Sequence, residues 1–259
     1  MRLPKTLSDT VYSRYKRNLV KEILSGPVPK HIAMIMDGNR RYASEVLGEG
    51  INEGHRKGEA KIEEMLEWCL DLKIPHITVY ALSTENFKRD KEEIDFIMKL
   101  AEAALYRMAD DKRIHENKVR IRVFGDLSIL PDNVTEAIKY ADERTSSYSD
   151  FNFNVAMAYG GRQEIITAVK DIAKKVADRE MDVDDISEGI FTEHLYTSDI
   201  PDPDLILRTS GEVRMSNFLL WQMAYSELYF TDVYWPSFRY IDLLRAVRSY
   251  QQRMRRYGE

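Results

Sequence analysis

The chain has 259 residues, 44% apolar and 31% charged, enough for one core of the size at which single domains stop growing, about 250 to 300 residues. No apolar run approaches the roughly 18 residues of a membrane-spanning helix, and a single cysteine, Cys69, excludes a disulfide framework, argues against structural zinc and points to the cytoplasm. The net charge of −5 gives no reason to expect nucleic acid as a partner.

That sum hides an asymmetry. Residues 1–30 hold Arg2, Lys5, Arg14, Lys16, Arg17, Lys21 and Lys30 against Asp9 and Glu22, so this basic extension is +5 and the remainder is −10. Val11, Tyr15, Leu19 and Ile23 recur every four residues, widened by Tyr12, Val20 and Leu24, behind the capping candidates Ser8, Asp9 and Thr10. The pattern predicts an amphipathic helix. It either packs on the body of the protein or rests on a membrane surface as a peripheral contact. Neither a signal peptide nor a transit peptide fits, because the stripe is interrupted by charges and includes acids.

Residues 31–259 read as one domain. Short apolar runs predict strands at His31–Met36, His76–Leu82, Val119–Phe124, Phe151–Ala158, Leu205–Leu207 and Leu228–Phe230. Helical periodicity lies between them: through Ile62, Leu66, Cys69 and Leu70, through Ile94, Ile97, Met98, Ala101, Ala104, Leu105 and Met108, and over about Arg162–Ala177. A last helix, Tyr240–Arg256, aligns Leu243, Val247, Tyr250 and Met254. Strands alternating with helices give an α/β fold, an open, mostly parallel six-stranded sheet flanked by helices.

Such sheets bind ligands at the carboxyl ends of their strands. The predicted ends run into Asp37-Gly38-Asn39-Arg40-Arg41, Ser83-Thr84-Glu85-Asn86-Phe87-Lys88-Arg89, Gly125-Asp126, Tyr159-Gly160-Gly161-Arg162 and Arg208-Thr209-Ser210-Gly211. All are polar, and four of the five contain arginine. Several chemistries drop out. No glycine-lysine-serine or glycine-lysine-threonine triplet offers a phosphate loop, and Gly48, Gly50 and Gly54 miss the dinucleotide spacing. His31, His55, His76, His115 and His194 lack metal-ligand spacing, and no serine sits in a nucleophile elbow. What remains is a site for phosphate oxygens. Arginine forks suit them, the turn at Gly38 and Asn39 begins a helix whose amides favour an anion, and Asp37 there suits a magnesium ion bridging to a diphosphate. Glu227 is the second candidate ligand.

Five longer motifs carry a family resemblance. They are His31-Ile-Ala-Met-Ile-Met-Asp-Gly-Asn-Arg-Arg-Tyr-Ala43, Gly54-His-Arg-Lys-Gly58, Tyr80-Ala-Leu-Ser-Thr-Glu-Asn-Phe-Lys-Arg89, Asn154-Val-Ala-Met-Ala-Tyr-Gly-Gly-Arg162, and the run from Asp204 through Arg208, Arg214, Met215 and Ser216 to Gln222, continued by Ala224–Asp232. In this order, over about residues 31–240, the chain resembles the cis-prenyltransferases, the undecaprenyl and dehydrodolichyl diphosphate synthases. The resemblance implies a homodimer with an apolar tunnel that condenses isopentenyl diphosphate, repeatedly and in cis, onto an allylic diphosphate. It makes residues 31–259 the catalytic domain and the long product a lipid-carrier precursor.

The same resemblance distributes roles. Asp37 is the magnesium-linked carboxylate and Glu227 a further ligand. Gly38, Asn39, Arg40, Arg41, Tyr42, His55, Ser83, Thr84, Glu85, Phe87, Arg89, Met215 and Arg256 are substrate-binding, with Arg41, Arg89 and the amides of Gly38 to Arg41 around the leaving diphosphate and His55 hydrogen-bonded to the allylic one. Arg208, Arg214 and Ser216 hold isopentenyl diphosphate. Asn86 is the family's usual proton acceptor, yet a neutral amide is a poor base, so it is better suited to orienting the diphosphate oxygen or water that takes the proton. By the same resemblance small residues at Ala101, Ala103 and Ala104 suggest a long product, while ordinary packing of this helix against its neighbours equally favours alanine.

There are departures. Ser44 to Glu53 carries three glutamates and no arginine or lysine, Ile51 stands where bacterial members place an arginine, and one residue is inserted there. Tyr42 and Phe87 replace tryptophans, and Val213 stands where some bacterial members have histidine. Arg256-Tyr257-Gly258 resembles the ending of eukaryotic and archaeal relatives, whose tail reaches the partner subunit's site; this leans towards geranylgeranyl diphosphate as primer, with farnesyl diphosphate the alternative. A noncatalytic binding subunit of the same fold would show erosion of the diphosphate residues, which are intact. A nucleotide-dependent phosphotransferase would need the missing phosphate loop. A trans-prenyl synthase would need Asp-Asp-x-x-Asp, which Asp110-Asp111-Lys-Arg-Ile breaks.

Overall fold

In a computed structural model the backbone is described for residues 5–257, with side chains from 14 to 253. Six strands form one sheet: β1 (His31–Ile35), β2 (His76–Ser83), β3 (Val119–Phe124), β4 (Phe151–Tyr159), β5 (Leu205–Arg208) and β6 (Glu227–Phe230). Their order is β3-β4-β2-β1-β5-β6 and every pairing is parallel. The six expected strands are present with their ends shifted by no more than a residue.

Nine helices flank them among the described residues: α1 (Lys5–Leu24), α2 (Asn39–Arg41), α3 (Ile51–Asp71), α4 (Lys91–Ala109), α5 (Lys112–Glu116), α6 (Asp132–Thr145), α7 (Gly161–Ala177), α8 (Glu188–Glu193) and α9 (Tyr240–Tyr257). The sequence pattern did not announce α5, α6 or α8. The buried stripe of α6 is Val134, Ala137, Ala141 and Thr145, too small and partly polar to stand out. On one face of the sheet, Ile32, Met34, Ile77 and Val79 meet apolar residues of α1, α3, α4, α6 and α9. On the other, Ala33, Ile35, Ala156, Tyr159 and Ile206 are covered by residues Tyr196 to Met223. There α7 contributes the buried Glu164, which accepts from Tyr159 Oη at 2.6 Å, Gln222 Nε2 at 3.0 Å and the Tyr196 amide at 3.0 Å.

The basic extension is not a separate appendage. Leu19 and Ile23 are fully buried in the main core, and Gln251 of α9 donates to the carbonyls of Ile23 and Pro27, capping the end of α1. Arg248 pairs with Glu22 at 3.1 Å, and the Lys16 ammonium lies over the Tyr240 ring. Thus the second half of α1 packs on the body, while Tyr15 and Leu24 of the expected stripe stay exposed. Val11 and Tyr12 lie outside the described side chains. Among the described residues no helix is long and apolar enough to cross a membrane.

Candidate active site

The carboxyl ends of β1, β2 and β5 converge on a polar cavity of about 520 Å³. Its base is the turn after β1. Gly38 has φ +102, and a β-carbon there would lie 2.7 Å from the Tyr234 ring and 2.9 Å from Ser210 Cβ, so only glycine makes this turn. Asn39 then opens α2, which runs into a π-helical turn at Tyr42–Leu47.

Asp37 is fixed on all sides. Its amide donates to Thr209 Oγ1 at 2.9 Å, and Thr209 Oγ1 and the Trp235 amide donate to its carbonyl. Its carboxylate accepts from Arg208 Nη2 at 2.7 Å and from the Gly38 amide at 2.7 Å, with Arg41 at 3.7 Å. Burial alone would raise this carboxyl, but the Arg208 hydrogen bond and charge, the Gly38 amide and Arg41 outweigh it and hold Asp37 below the ordinary aspartate range. Arg208 is 3% exposed and also donates to Ser216 Oγ at 2.8 Å and to the Arg214 carbonyl. Arg41 reaches Ser210 Oγ at 2.6 Å and Glu212 at 3.3 Å.

On the opposite wall Ser83 and Asn86 form a reciprocal cap. The Asn86 amide donates to Ser83 Oγ at 3.2 Å, while Asn86 Oδ1 accepts the Ser83 amide at 3.0 Å. That leaves the Asn86 side-chain NH₂ to act outward as a donor. His55 comes from α3, which approaches α2 so closely that a β-carbon on Gly54 would lie 2.1 Å from the Asn39 carbonyl oxygen. Its Nε2 is 3.0 Å from Glu93 Oε1, which also accepts from Arg89 Nη1 at 3.0 Å. Burial pushes the imidazole below its usual range against the pull of Glu93, and Arg89 and Arg40 lower it further.

Of the expected site residues, Asp37, Gly38, Asn39, Arg40, Arg41, His55, Ser83, Asn86, Arg89, Arg208, Arg214 and Ser216 line this cavity. Thr84, Glu85, Tyr42, Phe87 and Met215 do not. Phe87 packs on the main core and Met215 on the second, Thr84 donates to Glu85, and Glu85 accepts from Asn217 Nδ2 at 2.9 Å. Glu227 is not brought to Asp37 within one chain. It pairs in register with Leu205, at the start of β5, whereas the cavity is at Arg208, and its carboxylate accepts from Arg253 at 2.7 Å. Arg256 lies outside the described side chains. Gly38 supplies its amide to Asp37 rather than leaving it free for an anion.

The polar cavity adjoins an apolar one of about 120 Å³, bounded by α3, α4 and the sheet. Met36, Asn39, His55, Ala81 and Ile97 line both. Ala101, Ala104, Leu105 and Met108 wall its far part. Ala103 is exposed on the other side of α4 and takes no part.

Residues 35–258 match the family model "Putative undecaprenyl diphosphate synthase". The chain belongs to this family. It is 55% identical over 248 residues, covering 96% of this chain and 91% of the relative, to a tritrans,polycis-undecaprenyl-diphosphate synthase (geranylgeranyl-diphosphate specific) of Methanopyrus kandleri. A protein of the same name from Methanocaldococcus jannaschii is 53% identical, covering 95% and 88%. Among solved structures, lavandulyl diphosphate synthase of Lavandula x intermedia in complex with dimethylallyl diphosphate superposes with a TM-score of 0.81 at 36% identity, covering 86% of this chain and 95% of that one. A probable undecaprenyl diphosphate synthase of Campylobacter jejuni gives 0.72 at 34%, covering 90% and 100%. The parallel six-stranded sheet flanked by helices is the architecture of this family.

Several polar partners in the site escaped the sequence reading. Tyr80, Thr209, Ser210, Glu212 and Asn217 all sit inside or beside the motifs, but their bonds run between strand ends far apart in sequence. Only Glu93 carried a local sign, its position four residues after Arg89, which precedes the cap of α4.

Proposed function

We propose that this protein is a cis-prenyltransferase that condenses isopentenyl diphosphate stepwise onto geranylgeranyl diphosphate, giving a long polyprenyl diphosphate for carrier lipids. The observation that carries this is the contiguity of the two cavities: an arginine-lined chamber shares five wall residues with a mostly apolar one. A prenyl diphosphate has the same two halves. The specificity named for the archaeal relatives supports the geranylgeranyl primer over farnesyl diphosphate.

In each cycle the allylic C–O bond breaks and its electron pair leaves on diphosphate. The double bond of isopentenyl diphosphate attacks the allylic carbon, and a proton leaves its C2 to form the new double bond. No nucleophile of the protein is needed; stabilisation of the departing charge is. For the allylic diphosphate the chamber offers Arg40, Arg41, Arg89 and His55, and for isopentenyl diphosphate it offers Arg208, Arg214 and Ser216. The Asn86 carboxamide, its oxygen already taken by Ser83, orients the diphosphate oxygen or water that receives the proton.

Asp37 is the carboxylate that would hold magnesium. Among the described residues no group of three or more histidine, cysteine or acidic side chains is built to bind a metal. A single carboxylate beside arginines therefore fits a magnesium ion that arrives on substrate phosphates and keeps its waters. When bound, that ion offsets the charge of the leaving diphosphate.

The open edge of β6, with Tyr225 99% and Val213 74% exposed nearby, suits a homodimer, and Arg256-Tyr257-Gly258 suits a tail that completes the partner's site. The first residues of α1 remain the candidate peripheral membrane contact of a cytoplasmic enzyme. The test is purified protein with magnesium, labelled isopentenyl diphosphate and a set of allylic primers, with products sized after dephosphorylation. Long polyprenols from geranylgeranyl diphosphate are expected; no labelled polyprenol from any primer overturns the proposal.

A further inference from the structure

Glu93, in the first turn of α4, is the most deeply buried charge near the site, with 1% of its side chain exposed. Three basic groups from three segments converge on its Oε1: His55 Nε2 of α3 at 3.0 Å, Arg89 Nη1 from the residue before α4's cap at 3.0 Å, and Arg40 Nε of α2 at 3.9 Å. All three line the polar cavity, and Glu93 lines neither cavity. The carboxylate therefore stands behind its own cations, and an entering anion meets the cations first. Its second oxygen, Oε2, is buried without a hydrogen-bond partner. A carboxylate serving only to tie helices together gains most when both oxygens are satisfied, so this cost to stability marks a site kept for another reason.

Two like charges, Arg40 and Arg89, face one chamber beside the imidazole of His55 and repel each other, and both sit on long, flexible side chains. A shared anion within 4 Å offsets that repulsion and restricts their rotamers before the ligand arrives, which is the condition for preorganised electrostatic binding. On His55, a hydrogen bond at Nε2 fixes the hydrogen on that nitrogen and turns Nδ1 away from Glu93.

We infer that Glu93 is a positioning residue for the allylic diphosphate: from behind the wall it sets Arg40 and Arg89 as one preformed anion-binding pair and fixes the tautomer of His55 between them. The inference rests on assigning the polar chamber to diphosphates. It separates the two substrates, because Arg208, Arg214 and Ser216 have no bond to Glu93: Arg208 is held by Asp37, Ser216 and the Arg214 carbonyl, and the Arg214 side chain by Glu212.

The test is steady-state kinetics of E93Q and E93D with geranylgeranyl diphosphate and isopentenyl diphosphate varied separately, alongside thermal melts. E93Q keeps the volume and removes the charge; it should raise the allylic KM about tenfold or more while the KM for isopentenyl diphosphate stays within about twofold. E93D keeps the charge and should recover part of the loss. Unchanged values, or both KM values rising together with a fall in melting temperature, would make Glu93 an ordinary structural ion pair and overturn the inference. Should E93Q fail to fold, the E93D ratio and ¹⁵N NMR of histidine in the wild-type protein decide: His55 protonated at Nδ1 with a bare Nε2 also refutes it. Wild-type turnover tests the enzyme assignment itself, and the ratio of variant to wild type tests Glu93.

Discussion

Replacing Asp37 by alanine perturbs two things at once. The carboxylate is the only acidic partner among the described residues that Arg208 touches, at 2.7 Å, and Arg208 is 3% exposed. Breaking a fully buried pair by removing one partner costs roughly 3–5 kcal/mol. Asp37 keeps 30% of its side chain in solvent, and Arg208 retains Ser216 Oγ and the Arg214 carbonyl, so about 2 kcal/mol is the reasonable figure after screening. At about 2–4 °C per kcal/mol for a domain of this size, D37A should melt about 4–8 °C below wild type. Turnover should fall by at least about a hundredfold, because the charge of the leaving group loses its principal organiser. The pH dependence has a definite sign. Asp37 is held below the ordinary value of 3.8 in the folded chain, so its contribution is fully present above that value and is lost as pH falls through the lower folded value. The stability gap between wild type and D37A should be the same at pH 8 and pH 6 and close only below about pH 4. Differential scanning fluorimetry across pH, with incorporation of labelled isopentenyl diphosphate, measures both effects. A D37A protein with wild-type turnover, or one melting within about 1 °C of wild type, would refute the reasoning.

Other outcomes follow from the same geometry. A101L fills the apolar cavity and should shorten the polyprenol, whereas A103L, on the exposed face of α4, should leave chain length unchanged on chromatography; equal effects would remove α4 from the product wall. N86D keeps the cap on Ser83 but sets a carboxylate beside diphosphates, so its kcat should fall, and a faster N86D would identify this position as the base. Deleting residues 1–25 removes Leu19 and Ile23 from the core, at about 1.5–3 kcal/mol each, and should lower the melting temperature sharply. Deleting only residues 1–13 spares them and is the cleaner probe of liposome binding, with unchanged binding ending the membrane proposal. Deleting the last four residues should raise the KM for isopentenyl diphosphate or lower turnover, and a truncated enzyme with wild-type kinetics would dismiss the tail.

Much of this molecule is written in local sequence. Strands buried on both faces, such as β1, read as continuous apolar runs, the edge strand β3 reads by its alternation of apolar residues with arginines, and helices between the first five strands argue for parallel pairing. The polar stretches after those runs marked the chamber because a parallel sheet delivers its strand ends to one edge. Helices with a small or mixed stripe, such as α6, left no such trace.

What the sequence by itself determined is therefore the fold class, the family and the set of arginines, serines and acids offered at the strand ends. Only the tertiary structure decided how those groups divide. It buried Arg208 against Asp37, turned the Asn86 oxygen onto Ser83, and gave Glu93 two arginines and an imidazole from separate segments. It also removed Glu227 from the chamber by strand register, since a residue at the start of β6 lies at the opposite edge from one at the end of β5. The physical reason is that motif membership is a property of neighbours along the chain. Hydrogen bonds and ion pairs depend on separation in space, and pairing register and helix packing set that separation between residues far apart in sequence.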